Sequence, residues 1–181
     1  MAERPAGRGK EPSGTGANAG IGYFTAEQLA ANGATVVLGC RDTTKGDLAI
    51  RGIRAQVPDA RLRCVRLDLS DLPSLPVAVD ALDADSLDAV VLNARILLSG
   101  ISAHGHELIF ATNHLGHFAL ALARTTAQRL RGLPAGVALH GKHAAATAVR
   151  AVLDSEIDGG QLWGATGFRS SRQPHRETPR I

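Results

Sequence analysis

The segment Thr15-Gly16-Ala17-Asn18-Ala19-Gly20-Ile21-Gly22 carries the strongest chemical signal in this 181-residue chain. Glycines at 16, 20 and 22 stand directly before a helix-forming stretch. That spacing lets the main chain come close to a pyrophosphate, whose oxygens would rest on the helix N-terminus, where unpaired N–H groups and the dipole favour anions. Many loops hold three glycines, so the order of the downstream elements must decide. Other candidate chemistry is thinner. His104 with His106, His114 with His117 and His140 with His143 have chelating spacings, yet no third carboxylate or thiolate clusters with them, so no metal site is expected. Ser13 and Ser99 precede glycines without the elbow of a serine nucleophile. Cys40 and Cys64 form neither a disulfide framework nor a zinc pattern and read as small core residues in a reducing compartment.

The elements that would position these residues alternate between helical and strand-like patterns from residue 20 to about 92, the mark of βαβ units and a parallel sheet. Ile21–Asn32 reads as a helix ended by Gly33. Thr35–Leu38 is a β-branched apolar run, as expected of a strand buried on both faces. Thr43–Gln56 is amphipathic and stops before Pro58. Leu62–Leu67 alternates with arginines, Leu69–Leu82 has helical spacing, and Leu87–Leu92 is a second apolar strand. After a Gly, Ser and His loop, His106–Leu130 can form one long helix. Val137–Leu139 reads as a further strand and the Ala-rich stretch to Leu153 as a helix. The spacing predicts three parts: an irregular tail over 1–13, an α/β domain over 14–155, and an irregular basic tail over 156–181.

Composition bounds the class. Hydrophobic residues make up 44% and charged residues 20%, which suits one globular domain. No apolar run approaches the ~18 residues of a membrane span, and Met1–Ser13 lacks an apolar core for a secretory signal, so a cytoplasmic protein without a membrane partner is expected. The pI near 9.3 suggests nucleic acid until the charges are placed. Residues 1–14 carry +1, residues 166–181 carry +3, and the stretch between carries −1. Basicity confined to tails is a solvation feature, and no nucleic-acid partner is expected.

Taken together, the motifs resemble the short-chain dehydrogenase/reductase family, and its retinol-dehydrogenase-like members in particular. T-G-x-x-x-G-I-G is the family's cofactor turn. Gly39-Cys40-Arg41-Asp42 falls where the family recognises the adenosine ribose. Leu67-Asp68-Leu69 is similar to its adenine-contacting segment, and Leu92-Asn93-Ala94-Arg95 to its N-N-A-G. Thr112-Asn113-His114-Leu115-Gly116-His117-Phe118 is similar to the helix bearing its catalytic Asn, and Gly159–Phe168 to the tail of the retinol-dehydrogenase-like members. The resemblance implies a Rossmann-type, doubly wound parallel sheet over 14–155, a dinucleotide-binding domain that is incomplete, with a degenerate first strand and a missing catalytic segment. It also implies a dinucleotide held by Gly16, Asn18, Gly20, Ile21 and Gly22 at the pyrophosphate, Asp68 at adenine and Asn93 at the ribose. Arg41 in place of an acidic strand end favours the 2′-phosphate of NADP over NAD; alternatively it is an ordinary solvent-facing strand-end arginine. A small carbonyl or alcohol substrate and a homodimer through the 106–130 helix are further implications.

Three departures from the family pattern stand out. Lys10-Glu11-Pro12-Ser13-Gly14 replaces an apolar central strand, which predicts a compromised sheet centre. Arg95 occupies a glycine position, where it obstructs the pocket, distorts the turn or points to solvent. Finally, the family's catalytic Ser, Tyr and Lys are not found: Tyr23 is the single tyrosine, and Glu27 rather than Lys stands four residues on. Asn113 is the one catalytic-type residue left, with the alternative role of satisfying a helix bend. After Phe118 the chain passes to Gly132–Gly141, which resembles a later part of the family. The expected protein is therefore an NADP-linked oxidoreductase by resemblance, with activity lost or crippled. Its rivals are a non-catalytic dinucleotide-binding or dimerising protein and a poorly folding remnant of a damaged gene.

Overall fold

The computed structural model describes residues 7–82, 87–126, 149, 152–153, 162–163 and 169–170. The expected alternation takes shape as β1 (Pro12–Thr15), α1 (Gly20–Ala31), β2 (Thr35–Cys40), α2 (Thr43–Gln56), β3 (Arg61–Arg66), α3 (Leu75–Ala81) and β4 (Ala89–Val91). A helical stretch then runs through α4 (Leu108–Phe110), a π-helical turn (Ala111–Leu115) and α5 (Gly116–Thr126). The strands lie in the order β3-β2-β1-β4, each pair parallel. Parallel neighbours need crossovers, which α1, α2 and α3 supply. β2 shows why its residues read as a continuous apolar run. Val36, Leu38 and Cys40 pack with Leu29, Ile50 and Ile53 on one face, while Val37 packs with Val65, Leu87 and Val90 on the other. A third cluster of Leu67, Leu69, Leu75, Val79 and Leu120 seats α3 and α5.

β1, the strand expected to compromise the sheet centre, is paired on both sides. Ser13 pairs with Val37 and Val90, Gly14 with Leu38 and Val91, and Pro12 with Ala89. Pro12 is the first residue of the strand, where its missing donor interrupts only the end of the ladder. What β1 lacks is apolar bulk, not pairing. The domain also begins earlier than residue 14. The Gly7 N–H donates to the Asn32 carbonyl at 2.8 Å, Glu11 pairs with Arg63 at 3.1 Å, and Lys10 Nζ donates to the carbonyls of Val152 and Leu153 at 2.7 and 3.2 Å. Residues 7–13 are thus tied into the fold, because the sheet's first ladder needs them. A Cβ on Gly14 would meet Ala17 and Val91 only at 3.9 and 4.0 Å, ordinary contact distances. Gly14→Ala is therefore expected to stabilise the protein by about 0.4–1 kcal/mol through the unfolded chain, read as a melting temperature raised by roughly 1–4 °C. A lowered melting temperature would contradict this.

Local chemistry sets the other boundaries. Asp42 caps α2, its Oδ1 accepting from the N–H groups of Thr44 and Lys45 at 2.9 and 3.3 Å. Gly33 ends α1 at φ +85°, and the Ala34 N–H returns to the Leu29 carbonyl. The helix read over 69–82 starts late. Asp68 Oδ1 accepts from Ser70 N–H and Oγ–H, and Pro73 and Pro76 each sit in a first turn, giving a 3-10 turn at Leu72–Ser74 before α3. Cys40 and Cys64 lie side by side against Gly46 of α2. The Cys64 thiol and burial push the Cys40 thiol well up. The strand read at 137–139 lies outside the described residues. Of the Ala-rich helix, Val149, Val152 and Leu153 are described as helical, the two valines buried in the α1–α2 core. In the region read as an irregular tail, β5 (Leu162–Trp163) and β6 (Arg169–Ser170) pair antiparallel. Among the described residues no helix is long and apolar enough to cross a membrane.

Candidate functional site

The strand order reverses between β1 and β4, and in an open parallel sheet such a switch point leaves a crevice at the carboxyl ends of the strands. Here it is a cavity of about 600 Å³. Gly16, Asn18, Gly20 and Ile21 from the glycine turn line it, with Arg41 after β2, Asp68 after β3 and Asn93 after β4. Seven of the nine residues singled out from the sequence thus share one wall. Gly22 and Asn113 stand behind it.

The turn is shaped by its glycines. Gly16 and Gly20 adopt φ +62° and +56°, which other residues rarely take. Gly22 lets α1 sit against β1: a Cβ there would run into the Gly16 carbonyl and meet Asn93 Nδ2 at 2.7 Å. Ala19 has no side-chain acceptor to cap α1 and no acidic residue stands in its first turn. The opening N–H groups of a twelve-residue helix therefore face the cavity with no anionic side chain to satisfy them, and the space beside Gly20 is open. This arrangement fits an anion of pyrophosphate size.

Two carboxylates and two cations near the strand ends line the cavity. Asp42 caps α2 through its Oδ1, and the Asp68 Oδ1 accepts from Ser70. Arg41 and Lys45, one on each side of that cap, line the cavity. Arg95 is exposed and stands among the residues that line the cavity.

Behind the wall, one network joins the carboxyl ends of β1 and β4 to the π-turn. The Thr15 hydroxyl oxygen accepts from the N–H groups of Asn93 and Ala94, both at 2.9 Å, and Asn93 Nδ2 donates to the Thr15 carbonyl at 3.0 Å. Asn113 uses its whole amide on Ile96, accepting from its N–H and donating to its carbonyl, both at 2.9 Å. The π-turn supplies the extra residue that turns Asn113 inward, and Gly116 follows it because a Cβ would run into the Leu69 main chain. Asn113 thus acts here as a clamp at a helix bend, while Thr112 reaches the cavity. His117 is buried, its Nε2 3.0 Å from Thr15 Oγ1 and its Nδ1 3.2 Å from the Asn113 carbonyl; burial holds its pKa below the ordinary value. His114, its partner in the chelating spacing, is exposed and stacks on Phe110, and His104 pairs with Asp71 at 3.0 Å. His140 and His143 lie outside the described residues. Tyr23 packs with its hydroxyl against Gly52 of α2, away from the cavity.

Sequence reasoning missed Thr15, Lys45 and His117. A threonine ending a buried strand, and a lysine in the first turn behind an aspartate cap, were readable signals. His117 was not readable, since its partner lies 102 residues away.

The family model for short chain dehydrogenases matches residues 14–136. Retinol dehydrogenase 12 of Bos taurus is 41% identical over 110 residues, covering 59% of this chain and 35% of that protein. A short chain dehydrogenase/reductase from Burkholderia phymatum, solved in complex with NAD, superposes with a TM-score of 0.57 at 26% identity, over 67% of this chain and 44% of that one. A metagenomic short-chain oxidoreductase solved in complex with NADP gives 0.56 at 26% identity, over 82% of this chain and 73% of the other. The matched region spans about a third of the length of the curated relatives.

Proposed function

The chain belongs to the short-chain dehydrogenase family of oxidoreductases, and on that footing we propose that it binds NADP(H) in the crevice beside β1 without catalysing hydride transfer. The observation that carries the cofactor reading is the disposition of charge after β2. Asp42 turns its Oδ1 to the N-terminus of α2, which leaves one oxygen for a ribose hydroxyl. Arg41 and Lys45 flank it on the cavity wall, so two cations stand against one carboxylate there and favour a 2′-phosphate. Gly16, Asn18, Gly20, Ile21 and Gly22 would hold the pyrophosphate, Asp68 the adenine and Asn93 the ribose. When bound, the dinucleotide supplies or takes a hydride at its nicotinamide. The chain's own residues would have to orient a small carbonyl or alcohol and move its proton. Among the described residues no tyrosine or lysine stands on the Asn113 side of the cavity for that work.

Calorimetric titration with NADPH and NADH tests this. NADPH is expected to bind more tightly, and Arg41→Ala to narrow the gap by about tenfold, less at high salt because Arg41 is exposed. Equal affinity for both dinucleotides, or none for either, overturns the reading.

A specific observation favours a second reading, a dimerising dinucleotide-binding protein. Phe110 and Phe118 on the helical stretch, with Leu97, Leu98 and Ile101 in the loop before it, are all at least half exposed. A single monomeric species in light scattering would remove that reading.

A further inference from the structure

We propose that His117 is a positioning residue for the dinucleotide, a buried latch that holds the turn after β1 against the segment after β4; this rests on the NADP(H) reading above. Its donors and acceptors can be matched in one way. The Asn113 carbonyl can only accept, so the His117 Nδ1 that faces it at 3.2 Å carries the proton and Nε2 is bare. Bare Nε2 can only accept, so at 3.0 Å the Thr15 hydroxyl donates to it. The two lone pairs of Thr15 Oγ1 then point at the N–H groups of Asn93 and Ala94, which take both. Every site of this chain is filled in one orientation only, and Thr15, Asn93 and Ala94 all line the cavity.

Protonating Nε2 upsets this match. Thr15 Oγ1 would then face three donors with two lone pairs, and its own hydrogen would have to swing to the Val91 carbonyl, now 3.4 Å away. One main-chain N–H in the cavity wall loses its partner, and the wall loosens. A pocket that must be ordered before it binds has lower affinity. Among the described residues no charged side chain near the imidazole offsets this. Arg95 after β4 and His114 on its own helical stretch are exposed. Of the groups between β3 and α3, Asp68 is held by Ser70 and Asp71 by His104. Burial alone sets the direction, favouring the neutral ring. Above the ordinary histidine value of 6.5 both folded and unfolded chains hold a neutral ring. As pH falls below it the unfolded chain takes a proton that the folded one resists, so fold and pocket both weaken toward acid.

The experiment measures NADP⁺ affinity by calorimetry from about pH 8 to about pH 5.5, the range in which histidine titrates, for wild type, His117→Gln and His117→Phe. One linked proton changes affinity by at most about tenfold per pH unit. The 2′-phosphate titrates near pH ~6 itself, so the wild-type slope is read against His117→Gln, which keeps an acceptor for Thr15 but cannot titrate, and against NAD⁺. The expected result is a steeper acid loss in wild type than in either variant for both dinucleotides, with Gln binding more tightly than Phe. Identical slopes in wild type and Gln, or Phe equal to Gln, overturn the latch. Absence of binding by either dinucleotide at every pH overturns the NADP(H) reading instead. The latch is then judged by melting temperature against pH: an acid loss confined to wild type supports it, and parallel profiles refute it.

Discussion

Purified protein given NADPH with aldehydes or ketones, or NADP⁺ with alcohols including retinoid-like ones, is expected to turn over none of them above background. Hydride delivery to a carbonyl builds an alkoxide that needs a proton and a partner for its charge. General-acid catalysis contributes about 10²–10⁴-fold, and a positioned donor on the developing oxyanion about 10²–10³-fold. The two losses are not additive, but either alone removes most of a typical rate. Tyr23, the single tyrosine of the sequence, cannot substitute. It packs against Gly52, and partial burial together with the neighbouring Glu27 carboxylate pushes its phenol above the ordinary range, away from the activation that a nearby lysine would give. Asn113 has its amide committed to Ile96, and His117 offers its one proton to the Asn113 carbonyl. The measurement is NADPH consumption, followed by its near-ultraviolet absorbance, with product identification. Turnover that disappears in Asn113→Ala, or on changing Gly20 and Gly22, would mean that another group, His114 being the exposed candidate, has taken over as the acid.

The parts of this architecture that were legible in the sequence are those written locally. β2 and β4 read as apolar runs because both faces of a parallel strand are covered, and α2 announced itself through its amphipathic pattern and Pro58. Within residues 15–22 the glycine spacing specified turn and helix start together, so the pyrophosphate wall could be read from eight consecutive residues. β1 was hard to read because its strand character is conferred by neighbours. Pro12, Ser13 and Gly14 have little intrinsic preference for a strand, yet Val37 and Val90 pair with them from both sides; tertiary pairing overrides propensity there. The tie of Thr15 to His117 and of Ile96 to Asn113 spans 102 and 17 residues. No periodicity encodes such contacts, which is why His117 looked like half of a chelating pair. The long helix read over 106–130 is helical over Leu108–Thr126, with 127–130 outside the described residues, and the π-turn within it goes with Asn113 reaching Ile96 and Gly116 lying on the Leu69 main chain.

The three glycines of the cofactor turn look interchangeable in sequence and should fail differently when changed. At Gly22 an added methyl would collide with the Gly16 carbonyl and sit 3.0 Å from Ala17 Cα and 2.7 Å from Asn93 Nδ2. Two of those neighbours are main chain and cannot rotate away, so α1 must shift off β1. Overpacking of this kind costs about 1–3 kcal/mol, a large share of the ~5–15 kcal/mol that holds a domain together. Gly22→Ala is therefore expected to lower the melting temperature by several degrees, roughly 2–4 °C for each kcal/mol, and Gly22→Val to lower it further. At Gly20 nothing lies within 4 Å of the added methyl, but φ is +56°. Gly20→Ala meets only the cost of a left-handed residue, about 1–2 kcal/mol, and it places that methyl in the open space beside the α1 N-terminus. Its expected signature is a smaller thermal shift with a larger loss of dinucleotide affinity. Thermal melts and calorimetric titrations of the two alanine variants side by side decide the matter. Equal melting temperatures, or a Gly20→Ala that binds as well as wild type, would mean that the two glycines do not divide packing and anion contact between them as the geometry requires.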